Sequence, residues 1–175
     1  MAEIEIHHGG EHADDPGAKR VGLMVGVIGV VLAIVTIVAH REHTKAVIDR
    51  TEANDAWAYY QAKKIREHVS AVGAEIVRAV GSESPRVELA VGKLEEQSKK
   101  YIADAEQAKA EADHKDDETK RSERLALRLD LGEGFIELGL VLSSLYFLGR
   151  QRMFPLAGGG AALIGALTAA SALLL

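Results

Sequence analysis

Nineteen consecutive residues without a charged side chain, Val21 to Ala39, constrain this chain more than any other feature. A helix of that length is about 28 Å long, close to the thickness of a membrane's hydrocarbon core. A cleaved signal peptide is the alternative, but an acidic leader precedes the run and no small-x-small cleavage site follows it. The run therefore predicts a retained transmembrane helix over residues 21–39.

Two further apolar runs lie near the other end of the chain. The last one, residues 154–175, is uncharged and long enough to span a bilayer. The run 131–148 contains Glu133 and Glu137, and a central carboxylate costs about 2.5–3.5 kcal/mol on insertion. Both glutamates lie in the first half of their run, where this cost falls, and the neighbouring run can assist insertion. We therefore expect both runs to span the membrane, which makes three transmembrane helices.

The segment between the first and second spans, residues 40–130, predicts a long helical hairpin outside the membrane. Its 17 Lys+Arg and 19 Asp+Glu nearly balance, which excludes a basic surface for nucleic acid. Gly81 can end one helix, Ser84 can cap the next and Pro85 suits its first position, so the turn is predicted at 81–85. The predicted fold class is an all-α membrane protein with an antiparallel hairpin. Residues 1–20 form an acidic tail with the composition of a disordered segment.

Each arm of the predicted hairpin carries a seam of residues at alternating spacings of three and four. In the first arm, expected to continue from the first span, the seam comprises Ile48, Thr51, Asp55, Ala58, Ala62, Ile65, Val69, Val72, Ile76 and Ala79. In the second arm it comprises Val87, Val91, Leu94, Ser98, Tyr101, Ala105, Ala108, Ala112, Lys115, Thr119, Ser122, Ala126 and Leu129. We expect the two seams to face each other, with Gly73 opposite Gly92 and with Trp57 and Tyr60 opposite Ala108 and Ala105.

Small residues repeat at the same spacing in two of the spans. The stripe of the first span comprises Gly22, Gly26, Gly29, Ala33 and Thr36, and the stripe of the last span comprises Gly158, Ala162, Gly165, Ala169 and Ala172. The second span offers only Gly139 and Ser143. Helices in a bilayer associate by close backbone approach at small residues, so both stripes predict helix packing. The spacing leaves open whether each contact lies within one chain or between copies, and membrane helices are rich in such residues anyway.

Three acidic residues, Asp130, Glu133 and Glu137, follow one face of the helix that enters the second span. Ionisable groups inside a bilayer are costly and often mark ion or proton paths. The alternative is that Glu137 pairs with a neighbour or lies at the level of the headgroups. The sequence is compatible with both interpretations.

The remaining candidates concern partners and metals. Trp57, Tyr59 and Tyr60 predict either core packing in the hairpin or a docking site for a partner protein. His7, His8 and His12 lie among acidic residues and could bind a metal ion, but a polar tail is the simpler interpretation. The chain has no cysteine and no recognisable nucleophile, zinc-protease or phosphate-loop motif. We therefore expect a non-enzymatic protein without a cofactor.

The segment Asn54–Glu67, NDAWAYYQAKKIRE, resembles an uncharacterised bacterial family of small three-span membrane proteins with an N-D-x-W-x-x-Y-Q-A-K signature. The resemblance implies a bacterial plasma membrane and no specific activity. Four basic residues beside the short segments favour a cytoplasmic N-terminus and a hairpin on the outer face: Lys19, Arg20, Arg150 and Arg152. Eight basic residues flank the membrane on the hairpin side, so the opposite orientation stays open. The expected partners are membrane lipids, further copies of the chain and a protein docked on the hairpin.

Overall fold

The computed structural model describes residues 16–174, and all of its regular elements in that range are helical. They are α1 (Pro16–Val80), α2 (Pro85–Ser144), α3 (Tyr146–Gly149) and α4 (Met153–Ser171), followed by a 3-10 turn at Ala172–Leu174. The predicted all-α class and the hairpin of two long helices are confirmed. Three stretches are long and apolar enough to cross a membrane: one in α1, one in Pro85–Gly149, and α4. The chain is therefore compatible with a multi-pass membrane protein.

The chain divides into two compact units. The terminal unit contains the chain up to Glu42 and from Leu125 onward, and so includes all the apolar runs. The hairpin unit comprises His43–Arg124 and contains the charged parts of α1 and α2. Each unit has its own helix contacts, and these contacts differ in kind.

The turn of the hairpin unit depends on space at Gly81. The Gly81 amide donates to the Val77 carbonyl at 2.9 Å, which extends the bonding of α1 by one residue. A Cβ atom at this position would lie 2.9 Å from the γ carbons of Val87, closer than such atoms pack. No described glycine has a positive φ, so Gly81 is required for close packing and not for a left-handed cap. Ser84 precedes α2, and its carbonyl accepts the amide hydrogens of Val87 and Glu88.

The face that α2 contributes to the hairpin core is the predicted one. Its most buried members are small or polar: Ala105, Ala108, Ala112, Thr119 and Ser122. The face predicted for α1 was wrong, because every residue of that seam, from Ile48 to Ala79, is exposed. The buried side chains of α1 belong to a second series at the same spacing, which includes Ala46, Ala53, Ser70 and Ala74.

The small side chains of the α2 seam explain why α1 turns its other face toward α2. Alanines allow two helix backbones to approach closely, and a face of α1 whose most buried members are alanine and serine fits that approach better than a ridge of isoleucine and valine does. Polar pairs close the sides of the contact: Lys63 with Asp104 at 2.8 Å, Lys115 with Glu52 at 2.8 Å, and Arg50 with Glu123. The predicted pairing of Gly73 with Gly92 was also wrong. A Cβ atom at Gly73 would lie 3.6 Å from a methyl group of Leu94, whereas Gly92 is exposed with nothing within 4 Å.

The core of the terminal unit forms where α1, α2 and α4 meet. One cluster joins Ile28, Ile136 and Ala162, and Ile136 is the largest fully buried side chain. A second cluster joins Ala39 and Leu129 to the end of α4. Arg150 links α3 to α4 in a left-handed conformation (φ 49°), and its amide donates to the Tyr146 carbonyl at 2.8 Å.

Candidate functional site: helix faces and the acidic stripe

The stripe of the last span lies in α4 and is called the α4 stripe. It packs so closely against α2 that the two helix backbones touch. A Cβ atom at Gly165 would lie 2.5 Å from the carbonyl oxygen of Gly132. At Gly158 it would lie 2.5 Å from the carbonyl oxygen of Gly139, and it would also overlap Ser143. Since real Cβ atoms do not approach other atoms this closely, these positions require glycine.

The partner face on α2 is itself a stripe of small residues, with Ile136 in its middle. A Cβ atom at Gly139 would lie 2.6 Å from the carbonyl oxygen of Gly158, and one at Gly132 would lie 2.8 Å from the Gly165 oxygen. The sequence-based prediction included Gly139 and Ser143 but missed Gly132. The missed signal is its position seven residues before Gly139, two helical turns along the same face.

The stripe of the first span lies in α1 and is called the α1 stripe. It differs from the α4 stripe because its middle residues are not packed against another described helix. Gly26 and Gly29 have nothing within 4 Å of where a Cβ atom would lie, and Ala33 is exposed. The ends of the stripe do have neighbours among the described residues: a Cβ atom at Gly22 would lie 4.0 Å from the ring of Phe147, and Thr36 donates a hydrogen bond to Glu133 of α2. The buried face of α1 in this unit contains larger residues, among them Val21 and Ile28.

The acidic stripe contains two kinds of carboxylate. The Thr36 hydroxyl donates to an oxygen of Glu133 at 2.6 Å, and Glu133 is half-buried. Asp130 and Glu137 are exposed on the outside of the terminal unit. The predicted set is therefore not one cluster: Glu133 faces α1, whereas Glu137 faces away from the other helices of its own chain.

The predicted aromatic group lies partly inside the hairpin. Trp57 and Tyr60 are half-buried and meet edge to face at 5.7 Å between ring centres, whereas Tyr59 is exposed. The ammonium group of Lys63 lies 5.1 Å from the centre of the Tyr59 ring and bonds Asp104 at 2.8 Å. That bond raises the pKa of Lys63, to which Tyr59 adds a second contribution, and it lowers the pKa of Asp104. The Lys63–Asp104 pair thus stays charged over a wide pH range.

Within residues 16–174, no three His, Asp or Glu side chains are grouped so that they could hold a metal ion. His7, His8 and His12 lie outside the described residues. The acidic and aromatic candidates are spread over different helix faces and form no enclosed set of nucleophile, base and anion-binding donors of the kind that catalysis uses.

The described fold defines a class: an all-α protein with three helices able to cross a membrane and a charged helical hairpin between the first two. A family model described as "Domain of unknown function (DUF4337)" matches residues 17–175. The chain belongs to this family. No curated protein and no solved structure matches the chain.

Proposed function

We propose that the protein is a non-enzymatic, oligomeric membrane scaffold or anchor whose hairpin presents a docking surface to partner proteins. We place it in the bacterial plasma membrane with the hairpin on the outer face. Three apolar helices support the membrane setting. The orientation is supported by the basic residues before the first span and in the short loop before α4.

The observation that carries the oligomer is the open middle of the α1 stripe. Gly26, Gly29 and Ala33 repeat the spacing by which the α4 stripe packs closely on α2. Within residues 16–174, however, no atom lies within 4 Å of where a Cβ atom at Gly26 or Gly29 would be, and Ala33 is exposed. In lipid, apolar side chains gain nothing by leaving one hydrocarbon environment for another, so helix association depends on close packing and polar contacts. An uncovered face of small residues is the surface that such packing uses.

A second observation supports the same proposal. Glu137 lies in an apolar part of α2 and is exposed. An ionised carboxylate facing lipid costs several kcal/mol, and such groups usually face a bundle interior or a polar partner. A neighbouring copy of the chain is the partner that an oligomer provides.

The oligomer is tested by native mass spectrometry of the full chain, released from several mild detergents and from lipid nanodiscs. We expect one discrete species at a multiple of 18.8 kDa in every condition. Monomer alone in all detergents and nanodiscs would contradict the proposal. A broad ladder of species that changes with protein concentration would also count against a defined scaffold.

An ion- or proton-conducting assembly that uses Glu133 and Glu137 is the second candidate function. The bond from Thr36 to Glu133 favours it, because it joins α1 and α2 through a titratable group within their apolar parts. The discriminating change is Glu137→Gln, which nearly keeps the shape of the side chain and removes its titratable carboxyl group. In liposomes with a pH-sensitive dye and an imposed potential, we expect wild type and variant to match empty liposomes. If the wild type shows proton flux and Glu137→Gln abolishes it, the conducting assembly becomes the better-supported function and the scaffold proposal is wrong.

A further inference from the structure

The exposed seam of α1 is an apolar surface for which the hairpin provides no partner. We call it the outer seam: the residues at spacings of three and four from Ile48 to Ala79. Between Ala58 and Ala79 it contains seven positions in succession, none of them polar. Ile65 and Val69 are each 63% exposed and Ile76 is 57% exposed, so α2 covers none of them.

The outer seam lies nearly opposite the face that α1 turns toward α2. The buried series of α1 contains Ala46, Ala53, Ser70 and Ala74, and each of these is two residues before a member of the outer seam. Two residues correspond to about 200° around a helix axis of 3.6 residues per turn. A further helix can therefore reach the outer seam without displacing α2.

We infer that the outer seam is an interface with other copies of this chain, in which α1 helices pack in parallel. The inference rests on the proposed function and specifies which surface of the hairpin the copies share. Alternating spacings of three and four bring apolar residues back to one line only in a supercoiled helix, so the matching surface is another helix. All copies of a membrane protein insert with the same orientation, so their α1 helices run in parallel and present equal seams at equal levels.

The residues beside the outer seam are compatible with this arrangement. In parallel helices, the position before a seam residue of one copy faces a position five residues later on the next copy. From Asn54 onward, these neighbours are Asn54 with Tyr59, Gln61 with Arg66, His68 with Gly73, and Glu75 with Val80. No pair brings together two fixed charges of the same sign. Helices of like charge at these positions would repel each other, and this seam avoids that.

The seam also indicates how many copies meet. Val69 and Ile76 occupy one of the two core positions of the repeat, and Ile65 and Val72 occupy the other. Branching at Cβ in both positions disfavours two-stranded coiled coils and favours three or four strands. Asp55 is the one charged member of the seam, and in a symmetric bundle it faces its own copies. The interface is accordingly expected to be closest between Ala58 and Ala79.

The test uses single cysteines in the full chain, which contains none of its own, in its native membrane. Val69→Cys is expected to form disulfide-linked dimers on mild oxidation. Ile102→Cys, an exposed apolar position on α2 that is 42% accessible, is the matched control and is expected to crosslink at least tenfold less. Both side chains are exposed, so neither substitution disturbs the hairpin core, and unchanged helicity by circular dichroism confirms that.

A second variant, Val69→Asp, sets a charge into the seam and is expected to lower the crosslinking of Val72→Cys at least tenfold. Conversely, Asp55→Leu is expected to increase it. Native mass spectrometry of the wild type then gives the number of copies, which we expect to be three or more. A dimer would overturn the inference about copy number.

The outcomes separate this inference from the proposal on which it rests. A discrete oligomer without crosslinking at Val69 would overturn the outer-seam interface and leave the scaffold, held together by its spans. The absence of any oligomer would overturn both. Val69→Cys crosslinked to a different protein, or crosslinked no better than Ile102→Cys, would show that copies of this chain do not occupy the seam.

Discussion

The α1 and α4 stripes have the same residue types at the same spacing, and the structure uses them differently. Gly158 and Gly165 of the α4 stripe lie against backbone atoms of α2, where a methyl group does not fit. At Gly26 and Gly29 of the α1 stripe, a methyl group would have no neighbour within 4 Å among the described residues. A stripe of small residues therefore indicates that another helix can approach closely, but it does not indicate which helix does so. The α4 stripe packs on α2 because α2 has glycines, Gly132 and Gly139, at the matching positions.

Gly139→Ala is expected to have the largest effect on the fold. The new methyl group would lie 2.6 Å from the Gly158 carbonyl oxygen and 2.7 Å from the Ala162 nitrogen, so α2 and α4 must separate. Overpacking of this kind costs about 1–3 kcal/mol. The matched control is Gly134→Ala in the same helix, where nothing lies within 4 Å. Unfolding in mixed micelles should show a loss for Gly139→Ala alone; equal stabilities would mean that the α2–α4 contact is not close.

Thr36→Val sharpens the comparison at the end of the α1 stripe that does have a neighbour within the chain. It removes the hydrogen bond to Glu133, and bonds between membrane helices contribute about 0.6–1.7 kcal/mol. Thr168→Val is the control, since the Thr168 hydroxyl donates only to the Ile164 carbonyl of its own helix. The same unfolding assay should separate the two variants. A loss for Thr168→Val as large as that for Thr36→Val would remove the bond to Glu133 as the cause.

Gly26→Leu should give the reverse pattern to Gly139→Ala. Because nothing in the described part of the chain lies within 4 Å of where a Cβ atom at Gly26 would be, the free energy of unfolding of the single chain should change by less than about 1 kcal/mol. The proposed oligomer, in contrast, should dissociate at lower detergent concentration, as native mass spectrometry would show. Gly160→Leu, at a position that is also exposed and open, is the control. If Gly26→Leu unfolds the chain but spares the oligomer, the α1 stripe has an internal role.

The smallest effect is expected in the hairpin unit, where helices meet through side chains and not through glycine backbones. Lys63 lowers the pKa of Asp104, so the pair contributes stability above the unfolded value of 3.8 and loses it as the pH falls through the lower folded value. Asp104→Asn should therefore melt below wild type at pH 7, and the difference should vanish in strong acid. Glu106→Gln, an exposed position on the same helix, is the control. A difference that persists at low pH would assign the loss to packing.

Much of this architecture could be predicted from residues 21–39, where an uncharged run leaves few alternatives, and from the small-residue seam of α2. The buried face of α1 could not. Both of its faces repeat at spacings of three and four, and the more apolar one, with Ile65 and Val69, lies outside the hairpin. Pattern alone ranks faces by hydrophobicity, whereas the alanines of α2 select the face that fits closely. The pairing of Gly73 with Gly92 failed for the same reason, because it was predicted for a hairpin in which α1 turns its other face toward α2.

Cysteine crosslinking at one residue of each stripe tests most directly the claim that the two stripes have different partners. Ala33 is exposed in the α1 stripe and Ala162 is buried in the α4 stripe, and both are changed singly to cysteine in the full chain. On mild oxidation in native membranes, we expect disulfide-linked dimers for Ala33→Cys and none for Ala162→Cys. Leu167→Cys, in α4 but outside the α4 stripe and 63% exposed, should crosslink less than Ala33→Cys. Dimers from Ala162→Cys, or none from Ala33→Cys, would contradict the claim that the α1 stripe contacts another copy while the α4 stripe contacts α2.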